Sequence, residues 1–201
     1  SQADFWLASV SPRRRELLQQ LGYRFVLLRV DVDESPLAGE EAAALALRLA
    51  VCKAGEGARR VAATSPLPVL GADTVVAVDG RVLGKPATRD EALQMLGLLS
   101  GRTHSVLTAV ALVVGGRTST VCSETRVSFR TLTAAEMLRY WDSGEPRDKA
   151  GGYAIQGLAA AFVESIAGSY SGVVGLPLFE TAQLLESVGI APWRAPAREG
   201  A

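Results

Sequence analysis

A single histidine, His104, and two cysteines, Cys52 and Cys122, are all this chain of 201 residues holds of the side chains that build most zinc sites and nucleophile–base pairs. One imidazole rules out mechanisms that need a histidine base alongside histidine metal ligands. His104 lies beside a turn at the entry to a predicted strand, a setting that favours a structural role. The cysteines are isolated, in no CxxC spacing, one in a predicted helix and one in a predicted strand. They are expected to be buried free thiols in a reducing compartment, the alternative being a disulfide between them. No Gly-x-Ser-x-Gly elbow and no internal repeat is present, which removes the elbow hydrolases and the solenoid folds. No apolar run approaches the roughly 18 residues of a membrane span, and no signal-peptide pattern opens the sequence, so the cytoplasm is the expected compartment. Net charge is missing as well. Lys and Arg number 21, as do Asp and Glu, so no global field draws the molecule to nucleic acid or to an anionic membrane, and any polyanion site must be local.

What is present is apolar material, 48% of the residues, enough for one core or for one core with a cleft. A single domain over residues 1–201 is expected, its tail fraying from about Pro192. Phe5 to Ala8 reads as a strand leading into a helix with Leu17, Leu18 and Leu21 inward and Gly22 as its stop. Phe25 to Leu28, with Val30 and Val32, reads as a second strand ending in the acidic loop Asp31-Val32-Asp33-Glu34. Composition predicts a helix from about Glu40 to Arg60. Val69 to Val78 is an apolar strand, and Asp79-Gly80 signals a type I′ hairpin returning through Val82 and Leu83. Thr88–Glu91 and Thr133–Glu136 read as capping boxes opening helices. Between them, Ser105–Val114 and Ser119–Phe129 form a predicted antiparallel pair around Gly115-Gly116. Two glycine-rich stretches then flank a predicted strand, Ala161 to Ile166, and Pro177 to Ser187 is the last helix. Helices and hairpins interleave, so the fold is α/β with a mixed sheet.

The chemistry-bearing residues break local rules. Ser11 fits an N-cap and Pro12 the first helical position, yet the first turn carries Arg13, Arg14 and Arg15 where acidic residues are usual. Three cations at the positive end of a helix dipole are explained by a bound phosphate, or else they fan into solvent. Asp73 stands within Val-Leu-Gly-Ala-Asp-Thr-Val-Val, where burying a carboxylate demands a cation or several donors; the alternative is an Asp that caps a turn. Glu34 can supply a second metal carboxylate or simply be solvated. Lys85, after Gly84, and Lys53, on a helix, are each weak signals alone. Carboxylates, lysines, arginines and glycines together are the kit of Mg²⁺-assisted phosphoryl chemistry.

Five segments, taken in order, resemble one family. Leu7-Ala8-Ser9-x-Ser11-Pro12-Arg13-Arg14-x-Glu16-Leu17-Leu18, Leu70-Gly71-Ala72-Asp73-Thr74-Val75-Val76, Leu83-Gly84-Lys85-Pro86, Leu99-Ser100-Gly101-Arg102-Thr103-His104-x-Val106 and Asp148-Lys149-Ala150-Gly151-Gly152-Tyr153-Ala154-Ile155-Gln156-Gly157 are similar to the Maf family of nucleoside-triphosphate pyrophosphatases. The resemblance implies an elongated central mixed sheet flanked by helices, with two lobes and a cleft, related to inosine-triphosphate pyrophosphatases, and a homodimer. It implies metal-dependent hydrolysis of a nucleoside triphosphate to monophosphate and pyrophosphate, in housekeeping of the nucleotide pool. Asp73 would act on water, with a divalent metal, Mg²⁺ or Mn²⁺, bridging the substrate phosphates; on the residue reading above, Asp73 and Glu34 are the carboxylates that would hold it. Ser9, Arg13, Arg14, Lys53 and Lys85 match phosphate-side residues. Arg13, Thr74 and Gln156 match positions that separate substrates, and the Gly-Tyr-x-Ile-Gln-Gly form resembles the branch acting on dTTP and UTP, where Gln156 can pair with a pyrimidine carbonyl and imide N–H. The alternatives are a pyrophosphatase for 7-methyl-GTP or another modified nucleotide, or a regulator of cell division and septation that binds nucleotides without turnover. Cys52 departs from the family pattern, where a charged residue is frequent.

Overall fold

A computed structural model describes residues 3–193. Its three long strands, β3 (Val69–Val78), β5 (Thr103–Val114) and β6 (Arg117–Phe129), pair antiparallel in that order. The short strands β1 (Phe5–Leu7) and β2 (Phe25–Leu27) extend the sheet beyond β3 in parallel, and β7 (Val163–Ala167) completes the other edge. β4 (Arg81–Leu83) folds back on β3 through Asp79 and Gly80, both at positive φ (48° and 74°), as a type I′ turn requires. The result is a mixed seven-stranded sheet with helices on both faces.

β3 reads as a continuous apolar run because both of its faces are covered. On one face lies α2 (Ala42–Val61), which packs Leu45, Leu49, Ala50 and Ala54 against Val75, Leu107 and Ala109. On the other, Leu70, Ala72 and Val76 join the larger core, to which α1 (Pro12–Gln20), α3 (Arg89–Leu99), α4 (Ala134–Asp142) and α6 (Leu178–Glu186) contribute Leu18, Leu96, Tyr140 and Leu185. α2 comes so close to β3 that a Cβ on Gly71 would lie 2.6 Å from the Ala54 amide nitrogen and 2.8 Å from the Ala50 oxygen. Glycine is what lets this helix sit down on the strand.

One edge of β3 is paired along its length by β5, from Val69 to Ala77. The other edge is shared. β1 takes Val69 and Leu70, β4 takes Val76 to Val78, and among the described residues no strand pairs Gly71 to Val75 on that side. The sheet therefore has an internal gap beside Asp73 and Thr74.

Several boundaries differ from the sequence reading. The second strand stops at Leu27 because β1, its only neighbour among the described residues, is three residues long; Val30 turns into a small cluster with Ala8, Val61 and Val69. The strand expected from Ala161 begins at Val163, after a 3-10 turn over Leu158–Phe162. A five-residue helix, α5 (Tyr170–Val174), capped by Ser169, has no apolar period long enough to announce it. Thr133 and Glu136 form a reciprocal capping box. At Thr88 only half of one forms, since the Glu91 carboxylate accepts instead from the Ala87 amide at 2.7 Å. The cysteines are not buried: Cys52 lies on the outer side of α2 and Cys122 on the outward row of β6, both exposed. The expected fraying concerns a tail of which residues 194–201 lie outside the described residues; Trp193 still donates its N–H to the Leu21 carbonyl at 2.9 Å.

Candidate active site

Successive residues of a strand point to opposite faces, yet Asp73 and Thr74 line the same cavity. The gap in the sheet makes this possible, because the cavity, about 610 Å³, wraps the open edge of β3. On the α2 side, Lys53 reaches down from the helix, and its Nζ donates to Asp73 Oδ1 at 2.7 Å and meets Glu34 Oε1 at 2.6 Å. Two carboxylates from distant segments thus converge on one ammonium. Burial alone would raise the Glu34 pKa; the hydrogen bond from Lys53 and the charges of Lys53, Lys85 and Arg14 outweigh it and hold the carboxylate below its ordinary value.

The opposite side is built on Arg14, which is buried. Its Nε donates to the Gly175 carbonyl at 2.7 Å and its Nη2 to Thr74 Oγ1 at 3.1 Å. Thr108 Oγ1 donates to the Gly172 carbonyl at 2.7 Å, so it must accept from Thr74 across the 2.9 Å contact between their hydroxyls. A one-directional chain of donors, Arg14 to Thr74 to Thr108 to Gly172, ties the start of α1 to α5. Burial pulls the Arg14 pKa below its usual value against the opposing charge of Asp73, and a guanidinium keeps its proton regardless.

The arginine turn therefore divides. Arg14 points inward, Arg13 lines the cavity with its Nη1 3.7 Å from Asp148, and Arg15 is exposed outside it. The Arg14 guanidinium thus has partners within the protein even with the cavity empty, so its removal is expected to cost stability as well as ligand binding. Ser9 Oγ accepts the Ser11 amide at 3.1 Å and orders the backbone entering α1, whose N-terminus faces the cavity. Lys85 and Gln156 line it too, so all nine candidates, Ser9, Arg13, Arg14, Glu34, Lys53, Asp73, Thr74, Lys85 and Gln156, meet at one place.

Lys149, Asp148 and Tyr153 line the same cavity and were not picked out from the sequence. A charged pair immediately before Ala-Gly-Gly was the available signal. His104 has the structural role expected of it. Its Nε2 lies 2.6 Å from the Tyr153 hydroxyl and its ring packs edge-on against Phe129, while burial lowers its pKa to about 4. Neutral at physiological pH, it props Tyr153 from beneath.

Asp73 and Glu34 also fit a divalent cation, since both offer hard oxygens and both converge on a single positive charge. No group of three or more His, Cys, Asp or Glu side chains suited to a metal occurs among the described residues. Remaining coordination positions would fall to water and phosphate oxygens, as Mg²⁺ usually arranges them.

Comparison with known proteins agrees with this geometry. Residues 4–188 match the family model described as "Maf-like protein". The chain is 56% identical over 192 residues to a dTTP/UTP pyrophosphatase of Bordetella parapertussis, covering 92% of this chain and 93% of that one. It is 52% identical over 200 residues to one of Aromatoleum aromaticum (94% and 97%) and 50% identical over 194 residues to one of Saccharophagus degradans (96% and 92%). With the motifs, the fold and these near full-length relatives in agreement, the chain belongs to the Maf family.

Proposed function

We propose that this chain hydrolyses dTTP and UTP to the monophosphate and pyrophosphate. The observation that carries the reading is the convergence of nine residues from separate segments on one cavity, where the carboxylates Asp73 and Glu34 meet a set of arginines and lysines. Asp73 orients the attacking water and takes its proton. Arg13, Lys85 and the amides at the start of α1 hold phosphate oxygens, as helix N-termini and guanidinium forks do. Lys53 fixes the Asp73 carboxylate, and Arg14 holds Thr74 and α5 in place. Gln156, at the exposed end of the cavity, meets the uracil or thymine edge with one donor and one acceptor. A divalent cation held by Asp73 and Glu34 would neutralise phosphate charge and acidify water.

The test is release of pyrophosphate from dTTP, UTP, CTP, GTP and 7-methyl-GTP, with and without Mg²⁺ or Mn²⁺, with products identified. The expected result is metal-dependent release of pyrophosphate, fastest from the two uracil-type substrates. Absence of turnover with every nucleotide would favour a nucleotide-binding regulator, and preference for 7-methyl-GTP would replace the substrate while leaving the chemistry. The homodimer belongs to the same proposal, and light scattering in solution checks it. No helix among the described residues is long and apolar enough to cross a membrane.

A further inference from the structure

Gln156 is exposed, yet the backbone on either side of it is pinned by a pair of side chains on another segment. Tyr140, at the buried end of α4, donates its hydroxyl to Glu145 Oε1 at 2.7 Å and accepts the Ala154 amide at 3.1 Å. Glu145 Oε2 accepts the Leu158 amide at 2.9 Å, and Oε1 accepts the Ala159 amide at 3.3 Å. The carboxylate thereby caps the 3-10 turn Leu158–Phe162, at the end where a negative charge is favoured. Gly157 lies directly against it, with no room for a Cβ. Glu145 itself is anchored, since its carbonyl accepts from Lys149 Nζ at 2.8 Å. Tyr140 holds the chain two residues before Gln156, and Glu145 holds it two and three residues after.

We infer that Tyr140 and Glu145 are positioning residues for Gln156, a phenol–carboxylate clamp that sets the aim of the base-reading amide and so the discrimination among nucleotides. The inference rests on the reading above, in which Gln156 faces the base. A flexible glutamine on a mobile loop could pair with any base edge; one with a fixed backbone cannot re-aim, and specificity requires a mispaired amide to stay mispaired. Apart from the Ala154 amide that it holds, the network touches the cavity lining only through the Glu145 backbone carbonyl, which accepts from Lys149 and which neither side-chain substitution removes, so the clamp is expected to act on selection rather than on the hydrolytic step.

The test uses the full chain and three variants, Tyr140→Phe, Glu145→Gln and Gln156→Ala, in steady-state kinetics with dTTP, UTP, CTP and GTP. Hydrogen exchange at residues 154–159 is measured alongside. For Tyr140→Phe and Glu145→Gln we expect the ratio of kcat/KM between best and worst substrates to fall about tenfold, the scale of one lost hydrogen bond. The loss should fall on KM of the best substrate, with the worst changed less than about twofold, and the amides of Ala154, Leu158 and Ala159 should exchange faster. An equal fall for every nucleotide, or an unchanged ratio, overturns the clamp. Tyr140→Phe deletes one oxygen and decides the matter if Glu145→Gln does not fold. If Gln156→Ala lowers the ratio and the clamp variants do not, the clamp alone fails. An unchanged ratio in Gln156→Ala removes the base-reading role, and with it the clamp's purpose. A wild type that prefers another base displaces the dTTP/UTP assignment, while its own best-to-worst ratio still tests the clamp.

Discussion

Asp73 keeps its carboxylate in a buried strand because Lys53, sharing its charge with Glu34, sits 2.7 Å away. Asp73→Asn preserves shape and burial but can neither take a proton nor bind a cation well. Turnover should fall by about 10²- to 10⁴-fold, the usual contribution of a positioned general base, with circular dichroism and the thermal transition close to wild type. Full activity in the folded variant would remove Asp73 from the mechanism. Arg14 is a different kind of residue. Arg14→Ala strips partners from the Gly175 carbonyl and Thr74, and hydrogen bonds from a charged donor are worth about 1.5–3 kcal/mol. Chemical denaturation should therefore show a loss of about that size in the ligand-free protein, in addition to slower turnover. Unchanged stability would mean that the guanidinium is held for the ligand alone.

Helix α2 does two things at once: it covers the sheet and carries Lys53 to Asp73. Both depend on contact with β3 at Gly71. Gly71→Ala places a methyl against backbone atoms of α2 that have no rotamer to yield. Overpacking of this kind costs about 1–3 kcal/mol. The helix must shift outward, so activity should fall further than stability predicts, because the Lys53–Asp73 pair is set by the same contact. Parallel measurement of Tm and kcat decides it; a stability loss with kcat intact would show that the helix slides without moving Lys53. Elements with a strong local signal were readable in the sequence: the β5–β6 pair, the Asp79-Gly80 turn and the capping box at Thr133. α5 and the 3-10 turn Leu158–Phe162 were not, because they are short and part of what holds them lies outside the segment. Glu145 caps one of the turns from outside it, and Arg14 reaches Gly175 across 161 residues. Asp73 and the arginine turn stood out as polar residues that broke a local rule. Thr74, Ser9 and Gln156 break none and were reached only through the family resemblance, while Lys149 and Tyr153 were passed over.

The core as a whole holds one neutral imidazole, and this makes the protein's stability depend on pH. With the folded pKa of His104 near 4 and the unfolded value near 6.5, the unfolded chain binds the extra proton between those limits. Stability should be full above about pH 6.5 and decline as pH falls toward 4, by up to about 3 kcal/mol from this group. His104→Gln should flatten the slope of unfolding free energy between pH 7 and 4.5; an identical slope in the variant would assign it to other groups. Glu40, Glu56 and Glu136, each lowered to about 2 by arginine partners, act in the same direction but chiefly below pH 4.5.

The missing neighbour of β3 between Gly71 and Val75 has one more consequence. An unpaired strand edge is ordinarily a template on which another chain can add. Here it is lodged between the ends of β1 and β4 and roofed by α2, so it admits a small charged molecule and shuts out a polypeptide. Loosening α2 lifts that protection. Gly71→Ala should then raise light scattering on mild heating before global unfolding begins, and occupancy of the cavity should suppress it, tying the solubility of the folded chain to the concentration of whatever fills the gap.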